Sequence, residues 1–388
     1  MNPTFDFILM AVFSLVEWRI TMRLWRLAGR RSTGRQLTAA RAAIVLFNVL
    51  VVLGYSLSFV AMMPHLPMNA GLAMSIGAVT MAYLASATVV LVIRQAWSLV
   101  SRRLDAPVNP ARRRALSAAG NLLIAAPFAA MGYGALIERT DFRLREIEIA
   151  LPGLSADLDG LRILQLSDIH LSAFLSEAEL ARVIDACRQL HPHLAVVTGD
   201  LISARGDPLD ACIRQLARLR SDAGTFGCMG NHEHVAGAEK HAAEAGARAG
   251  IPFLRSQNRA LRFGGSTLNL AGVDYQPTSH AAHYLRGAER LVAPAAFNVL
   301  LSHNPDVFPV AARQGYNLML AGHTHGGQVT VEIFDQTLNP ARFFTRYVYG
   351  LYRLGAAATY VTRGIGTIGI PARIGAPPEI SLIRLRKA

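Results

Sequence analysis

Five short apolar runs in this chain each end in side chains able to ligate a metal or move a proton. LRILQL (161–166) leads into Ser167-Asp168-Ile169-His170, HLAVVTG (193–199) into Asp200, and TFGCMG (225–230) into Asn231-His232-Glu233. FNVLLS (297–302) leads into His303-Asn304, and YNLMLAG (316–322) into His323-Thr324-His325. Singly, an Asp beside a His, a capping Asp or a turn Asn is unremarkable; their recurrence at five run ends carries the argument. Imidazole, carboxylate and one amide oxygen, without thiolate, suit borderline to hard divalent ions such as Mn, Fe and Zn. Asp168, His170, Asp200, Asn231, His303, His323 and His325 are seven candidate ligands, too many for one tetrahedral site. Two ions roughly 3.5–4 Å apart that share a carboxylate can clamp the attacking and leaving oxygens of an in-line displacement, which points to phosphate esters.

The elements that must position these residues read as an α/β layered domain from about residue 139. RLREIEIALPGL alternates and reads as its opening strand; the five runs above, together with TLNLAGV (267–273), are apolar nearly throughout, as strands covered on both faces are. Between them, Ser176 and Glu179 form a capping box before Leu180, Val183, Ile184, Cys187 and Leu190. Asp207-Pro208 opens a second helix with Leu209, Cys212, Ile213, Leu216 and Leu219 on one face, and a third from about Ala238 to Ala249 ends at Gly250. In open α/β sheets ligands bind beyond the carboxyl ends of the strands, where the polar residues fall here. Gly322 is expected to let the backbone turn off its strand, and Gly326-Gly327 to keep side chains clear of the ions. In the segment 275–290, expected to shape substrate choice, His280 and His283 read as loop residues. The three cysteines, Cys187, Cys212 and Cys228, have no metal-like spacing and read as small buried hydrophobes.

The first 138 residues have a different character. Ala42–Pro64, Leu66–Ile93 and Ala115–Ile137 contain no Asp, Glu, Lys or Arg, and each exceeds the roughly 20 residues that a helix needs to cross a bilayer. A fourth, shorter candidate, Phe7–Val16, reads as a span, which makes about four spans in residues 1–138, although an interfacial helix would look similar. Before residue 138 there are 13 arginines, no lysine and 3 acids, so +10 of the net +13 lies there and the rest is near neutral. The high basicity is therefore no argument for nucleic-acid binding. The arginines cluster at 19–41 and 94–114, and the connector at 64–70 has none. Short Arg-rich loops stay cytoplasmic, which predicts a multi-pass inner-membrane protein with everything after Ile137 on the periplasmic or extracellular side. Arg112-Arg113-Arg114 followed by ALSAAGNLLIAAPFAA also resembles a twin-arginine export signal, which gives the same side. The spans carry no charge at depth, which argues against an ion or proton path.

At the five motifs the sequence resembles the calcineurin-like metallophosphoesterases. Asp168 and His170 match the family's DxH, Gly199-Asp200 its GD, Gly230-Asn231-His232-Glu233 its GNHE, His303 its isolated histidine, and Gly322-His323-Thr324-His325 its GHxH. The resemblance covers roughly 160–385 and implies a β-sandwich core flanked by helices, a four-layer α/β/β/α domain over residues 139–388. It implies one ion on Asp168, His170, Asp200 and His325, and another on Asp200, Asn231, His303 and His323, with a bridging hydroxide as nucleophile. It also implies that His232 stabilises the phosphoryl charge and protonates the leaving alkoxide.

Within the family, HTHGGQ and the tail TRGIGTIGIPARIGAPPEISLIRL resemble a membrane-associated bacterial branch. Some of its members hydrolyse the pyrophosphate of UDP-2,3-diacylglucosamine. Arg363 and Arg373 match arginines of that branch, with phosphate or head-group contact as the implied role. The expectation is a membrane-anchored phosphoesterase using two divalent ions (Mn, Fe or Zn) on phosphodiester or pyrophosphate bonds. The alternative is a non-catalytic, metal-binding scaffold or receptor domain.

Overall fold

The computed structural model describes residues 3–61, 70–101, 119, 122, 126–333 and 336–388. Three long helices come first, α1 (Pro3–Arg31), α2 (Gly34–Ala61) and α3 (Ala70–Ser101), followed by helical residues 126–136 (α4). The chain divides into two compact units, Met1–Gly134 with Gly369–Pro371, and Ala135–Ile368 with Ala372–Ala388.

In the first unit Phe13, Val51 and Leu84 pack together, and the Tyr83 hydroxyl donates to Glu17 at 3.0 Å. Much of α2 faces outward with apolar side chains: Val45, Leu46, Val49, Leu50, Val52 and Leu53 are all exposed. Water does not favour such a surface; lipid does. Among the described residues two helical stretches are long and apolar enough to cross a membrane, Gly34–Leu57 and Ile76–Trp97. The expected segment 7–16 lies inside the continuous helix α1 and is not one of them. Nine of the 23 residues of the span expected at 115–137, and all but the last residue of the connector 64–70, lie outside the described residues.

The second unit runs β1 (Arg143–Leu151), β2 (Arg162–Leu166), α5 (Glu177–Arg188), β3 (Leu194–Thr198), α6 (Leu209–Leu216), β4 (Thr225–Cys228), α7 (Asn231–Ala236) and α8 (Glu239–Arg248). It continues through β5 (Gln257–Phe263), β6 (Ser266–Gly272), β7 (Phe297–Leu301), α9 (Phe308–Gln314) and β8 (Leu318–Ala321). A small hairpin, β9 (Val331–Ile333) and β10 (Gln336–Leu338), precedes β11 (Gly350–Leu354), β12 (Ala357–Val361) and β13 (Glu379–Lys387).

Two sheets result, ordered β1-β13-β2-β3-β4 and β11-β12-β8-β7-β6-β5. In the first, β2, β3 and β4 are mutually parallel and β13 is antiparallel to β2; in the second, β6, β7, β8 and β12 are parallel. The period-two alternation of strands sorts the core into layers. On β3, Leu194 and Val196 join Ile163, Leu268, Val299, Leu318 and Ile383 between the sheets, while Ala195 and Val197 face α5, α6 and α8. On the far side Leu300, Met319, Ala321 and Val361 pack under Phe308 and Ala311 of α9. The outcome is the four-layer α/β/β/α arrangement expected.

Local signals explain where the helices start. The Ser176–Glu179 capping box is present, with the Ser176 hydroxyl accepting from Glu179 N at 3.2 Å. Leu180, Val183, Ile184 and Cys187 are then buried, each large apolar side chain contributing roughly 1.5–3 kcal/mol. The three cysteines are free and buried, as their spacing suggested. Leu219 lies beyond α6, which ends at Leu216, although it remains buried. Strands β5 and β9 to β13 and helices α7 and α9 were not evident in the sequence. β5 carries exposed polar residues along an edge, and α7 is too short for a helical period to register.

Candidate metal centre

The parallel strands β2, β3, β4, β7 and β8 deliver their next residues to one edge of the sandwich, and β12 adds a sixth, Arg363. All seven candidate ligands converge there. Asp168, His170, Asp200, His303 and His325 are buried; Asn231, His232 and His323 are partly exposed. Ligand atoms of Asp168, His170 and His325 lie within 4.8 Å of one another, as do those of Asp200, His303 and His323. Asp200 joins the two groups: its Oδ2 is 3.5 Å from His170 Nε2 and 3.0 Å from His303 Nε2. His325 Nε2 is 3.1 Å from His170 Nε2 and 3.4 Å from Asp168 Oδ1. On the other side Asn231 Oδ1 and His323 Nδ1 lie 3.1 and 3.2 Å from His303 Nε2.

Hydrogen bonding decides which imidazole nitrogens face this space. His303 Nδ1 lies 2.7 Å from the Thr198 carbonyl, and His325 Nδ1 3.4 Å from that of Gly366. A carbonyl only accepts, so His303 Nδ1 carries the hydrogen and its Nε2 presents a lone pair in the neutral ring, whereas His325 Nδ1 also lies 3.5 Å from Arg373 Nη2, which only donates. Imidazole nitrogens thus face one another and carboxylate oxygens at about 3 Å, an arrangement stabilised by cations between them or by a proton on His303. Among the described residues neither Asp168 nor Asp200 is ion-paired to a Lys or Arg; their only charged-type neighbours within 4.0 Å are these histidines. Two buried carboxylates without a fixed cation are costly, and divalent ions remove that cost. The donor set therefore fits two ions.

Titration follows the same logic. Burial, reinforced by neighbouring imidazole charge, holds His170 and His325 well below the usual histidine range, in the neutral form that metals bind. Burial and the Asp200 charge push Asp168 up to about 6, against the pull of His303. Burial would lower His303, but the Asp200 carboxylate outweighs it and raises this group to about 10. With a proton already beside Asp200, burial and that charge lower His323 to about 3.

The backbone is bent to make this convergence. Asp168, His170, Asp200, His323 and His325 all have positive φ, between 50° and 76°, a region non-glycine residues rarely adopt. Such strain persists only where surrounding contacts enforce it. Asp168 accepts the His323 N–H at 2.9 and 3.1 Å, clamping the last strand-end loop to the first. Glu233, named in the sequence only as part of its motif, is fully buried and accepts from the main-chain N–H of Gly230, Asp200 and Leu201 at 2.9, 2.9 and 2.7 Å. Its place three residues after the Gly230 cap of α7 is the signal that could have revealed it. Ser203 was also missed: its hydroxyl lies 3.1 Å from His170 Nδ1, and its carbonyl accepts from His232 Nδ1 at 2.5 Å.

Several expectations change. Arg373 is not placed for phosphate contact: it is fully buried, and its guanidinium donates to the carbonyls of Gly366, Ala376, Gly364 and His325. It braces the loop that carries His325. Arg363 stays partly exposed, its guanidinium 4.3 Å above the Tyr349 ring and its Nε 3.9 Å from Glu379. Gly326 and Gly327 do not clear space beside the ions. A Cβ at Gly326 would lie 2.8 Å from Arg363 Cγ, and one at Gly327 2.0 Å from Asn339 Oδ1. Gly322 is required for close approach rather than for a turn, since its Cβ would meet Ser167 Oγ at 2.1 Å. His280 and His283 are exposed but lie in a 3-10 segment, Thr278–His283, rather than in a loop, while Tyr275 at the start of that stretch places its ring 5.7 Å from His323 and 6.2 Å from His303.

Residues 161–327 match the model of a family described as calcineurin-like phosphoesterase. An uncharacterized metallophosphoesterase of Bacillus subtilis, YkuE, is 29% identical over 66% of this chain and 89% of its own length. The phosphodiesterase YaeI of Escherichia coli is 31% identical over 58% of this chain and 82% of its own. A transmembrane protein with metallophosphoesterase domain from Danio rerio is 29% identical over 66% of this chain; the match spans 60% of that relative's length.

Proposed function

The chain belongs to the calcineurin-like phosphoesterase family, and from that premise we propose that it is a membrane-tethered phosphohydrolase that uses two divalent ions to cleave phosphodiester or pyrophosphate bonds. The observation that carries this reading is the position of Asp200 Oδ2 between His170 Nε2 and His303 Nε2, at 3.5 and 3.0 Å. One carboxylate shared by two imidazole-containing clusters suits a pair of ions, with Asp168 and His325 completing one side and Asn231 and His323 the other. When bound, two such ions supply Lewis acidity to the phosphoryl oxygens and to the attacking water. Mn, Fe and Zn all suit the ligand types.

The chain's own residues supply the rest. His232 is fixed from both ends: its N–H donates to Asp200 Oδ1 at 2.8 Å, and its ring Nδ1–H donates to the Ser203 carbonyl. Nε2 is left to donate to a phosphoryl oxygen when the ring is protonated and to pass that proton to the leaving alkoxide. Tyr275 walls the His303–His323 side, and Arg363 is the remaining candidate for contact with a phosphate or head group. A non-catalytic scaffold would have no need of an imidazole held in this way.

We assign residues 139–388 to catalysis and residues 1–138 to a multi-pass anchor, with the catalytic domain outside the cytoplasm. The supports are the two apolar helices, the arginine clusters and relatives named as transmembrane proteins. Hydrolysis of a lipid-linked UDP-sugar pyrophosphate is a second reading, favoured by the resemblance of the 362–385 tail. The test is turnover of an aryl phosphodiester by the purified full chain with added Mn, extended to phospholipids, lipid-linked sugars and nucleotides. Turnover that vanishes in Asp200→Ala supports the reading; no turnover of any substrate in the panel removes it.

A further inference from the structure

Residues 340–346, PARFFTR, raise a question that catalysis does not answer. Phe343 and Phe344 are 81% and 64% exposed, and among the described residues after 138 no other aromatic side chain is an exposed large hydrophobic. Water makes such exposure unfavourable, and a large contiguous apolar surface normally marks an interface.

The segment is not a loose loop that failed to fold away. Asn339 caps its 3-10 turn by accepting from Ala341 N at 3.0 Å, and Phe344 N and Thr345 N donate to the Ala341 carbonyl at 2.9 and 3.0 Å. The Thr345 hydroxyl donates to Asp306. The apolar pair is therefore held outward from both sides.

Its immediate flanks are basic: Arg342 and Arg346 are exposed on either side of the pair, and the acid in contact with the segment is Asp306, through Thr345. Aromatic rings between arginines suit the boundary of a bilayer, where rings settle at headgroup depth and guanidinium groups meet lipid phosphates. The same chain carries two helices able to cross a membrane, so a bilayer is within its reach.

We propose that residues 340–346 are a docking tip for an anionic bilayer surface, with Phe343 and Phe344 entering the headgroup boundary and Arg342 and Arg346 on lipid phosphates. This rests on the membrane-tethered reading and deepens it. The Asn339 side chain donates to the Gly326 carbonyl at 2.8 Å, and Gly326 is the neighbour of His325. A docked tip thus fixes the metal loop at headgroup level, and the substrate class is phosphoesters presented by the bilayer surface.

The experiment uses the full chain in lipid nanodiscs with a spin label at Phe343→Cys; the native cysteines are buried and do not compete for label. A label at Lys240→Cys, whose side chain is 88% exposed, is the aqueous reference. In phosphatidylglycerol-containing discs the label at 343 is expected to collide with oxygen in preference to a water-soluble nickel chelate, and the label at 240 to do the reverse. Arg342→Gln and Arg346→Gln should each weaken docking roughly fivefold, the effect of one basic residue near an anionic surface. A label at 343 as open to the nickel chelate as the one at 240 overturns the proposal. Because turnover is not the readout, an inactive protein with a lipid-buried label would remove the phosphoesterase reading alone.

Discussion

The Glu233 carboxylate accepts the main-chain N–H of Asp200 at 2.9 Å, and with its other oxygen that of Leu201 at 2.7 Å. One buried acid on α7 thereby holds the strand-end turn on which Asp200 sits at φ 54°. Glu233→Gln replaces one accepting oxygen by a donor facing N–H groups. It should cost about 3 kcal/mol, the scale of losing hydrogen bonds to a charged buried group. Denaturation midpoint and bound-metal content should fall together; an unchanged midpoint would show that Glu233 does not hold this turn.

Asp200 and His232 sit side by side but should fail differently. Asp200→Asn is expected to lose bound metal as well as activity. His232→Ala should keep its metal and lose about 10²–10⁴-fold in kcat, the usual contribution of a positioned acid or base. Metal analysis of the two variants decides it: equal metal loss in both would make His232 a ligand.

Arg373 and Arg363 come from the same tail but have opposite environments. Arg373→Met leaves the carbonyls of Gly364, Gly366 and Ala376 without their buried partner and should destabilise by about 3 kcal/mol. Arg363→Met, at a partly exposed site, should change stability by less than about 1 kcal/mol and act instead on KM. Thermal melts of both would expose an inverted assignment.

Two glycines with similar φ separate strain from crowding. Gly364 has φ 69°, and its Cβ would lie 2.6 Å from Asp168 Cβ; Gly350 has φ 93° with nothing within 4 Å. Gly350→Ala should cost about 1–2 kcal/mol, the left-handed penalty alone. Gly364→Ala adds overpacking of about 1–3 kcal/mol and displaces Asp168. Equal stabilities, or full activity in Gly364→Ala, would contradict the close approach.

Orientation rests on arginine placement. A reporter that works only in the cytoplasm, fused after Ala388, should stay silent in cells, and a periplasmic reporter at the same point should be active. The opposite pattern would place the catalytic domain inside.

Much of the site was legible because chemistry and element ends coincide in the sequence. LAVVT before Gly199-Asp200 is a buried strand by composition, and the polar residue after it has to leave the sheet at its carboxyl edge. The same holds for Asp168, Asn231, His303 and His323, so ligand types and their shared edge followed from residue order alone. The alternation of β3, the Ser176 capping box and the buried cysteines were likewise local properties. Local pattern could not give what depends on partners distant in the chain. It did not show that Arg373 spends its donors on carbonyls near His325, or that Gly327 faces Asn339. Nor did it show that edge strand β5 pairs with β6 although its own side chains are mostly exposed. The left-handed turns at Asp168, His170, Asp200, His323 and His325 belong to the same class, since no residue there prefers them strongly enough to announce them. They are imposed by contacts such as Asp168 with His323, 155 residues apart. Sequence determined which groups would meet; only packing across the two sheets decided at what distance, in which tautomer and on how strained a backbone.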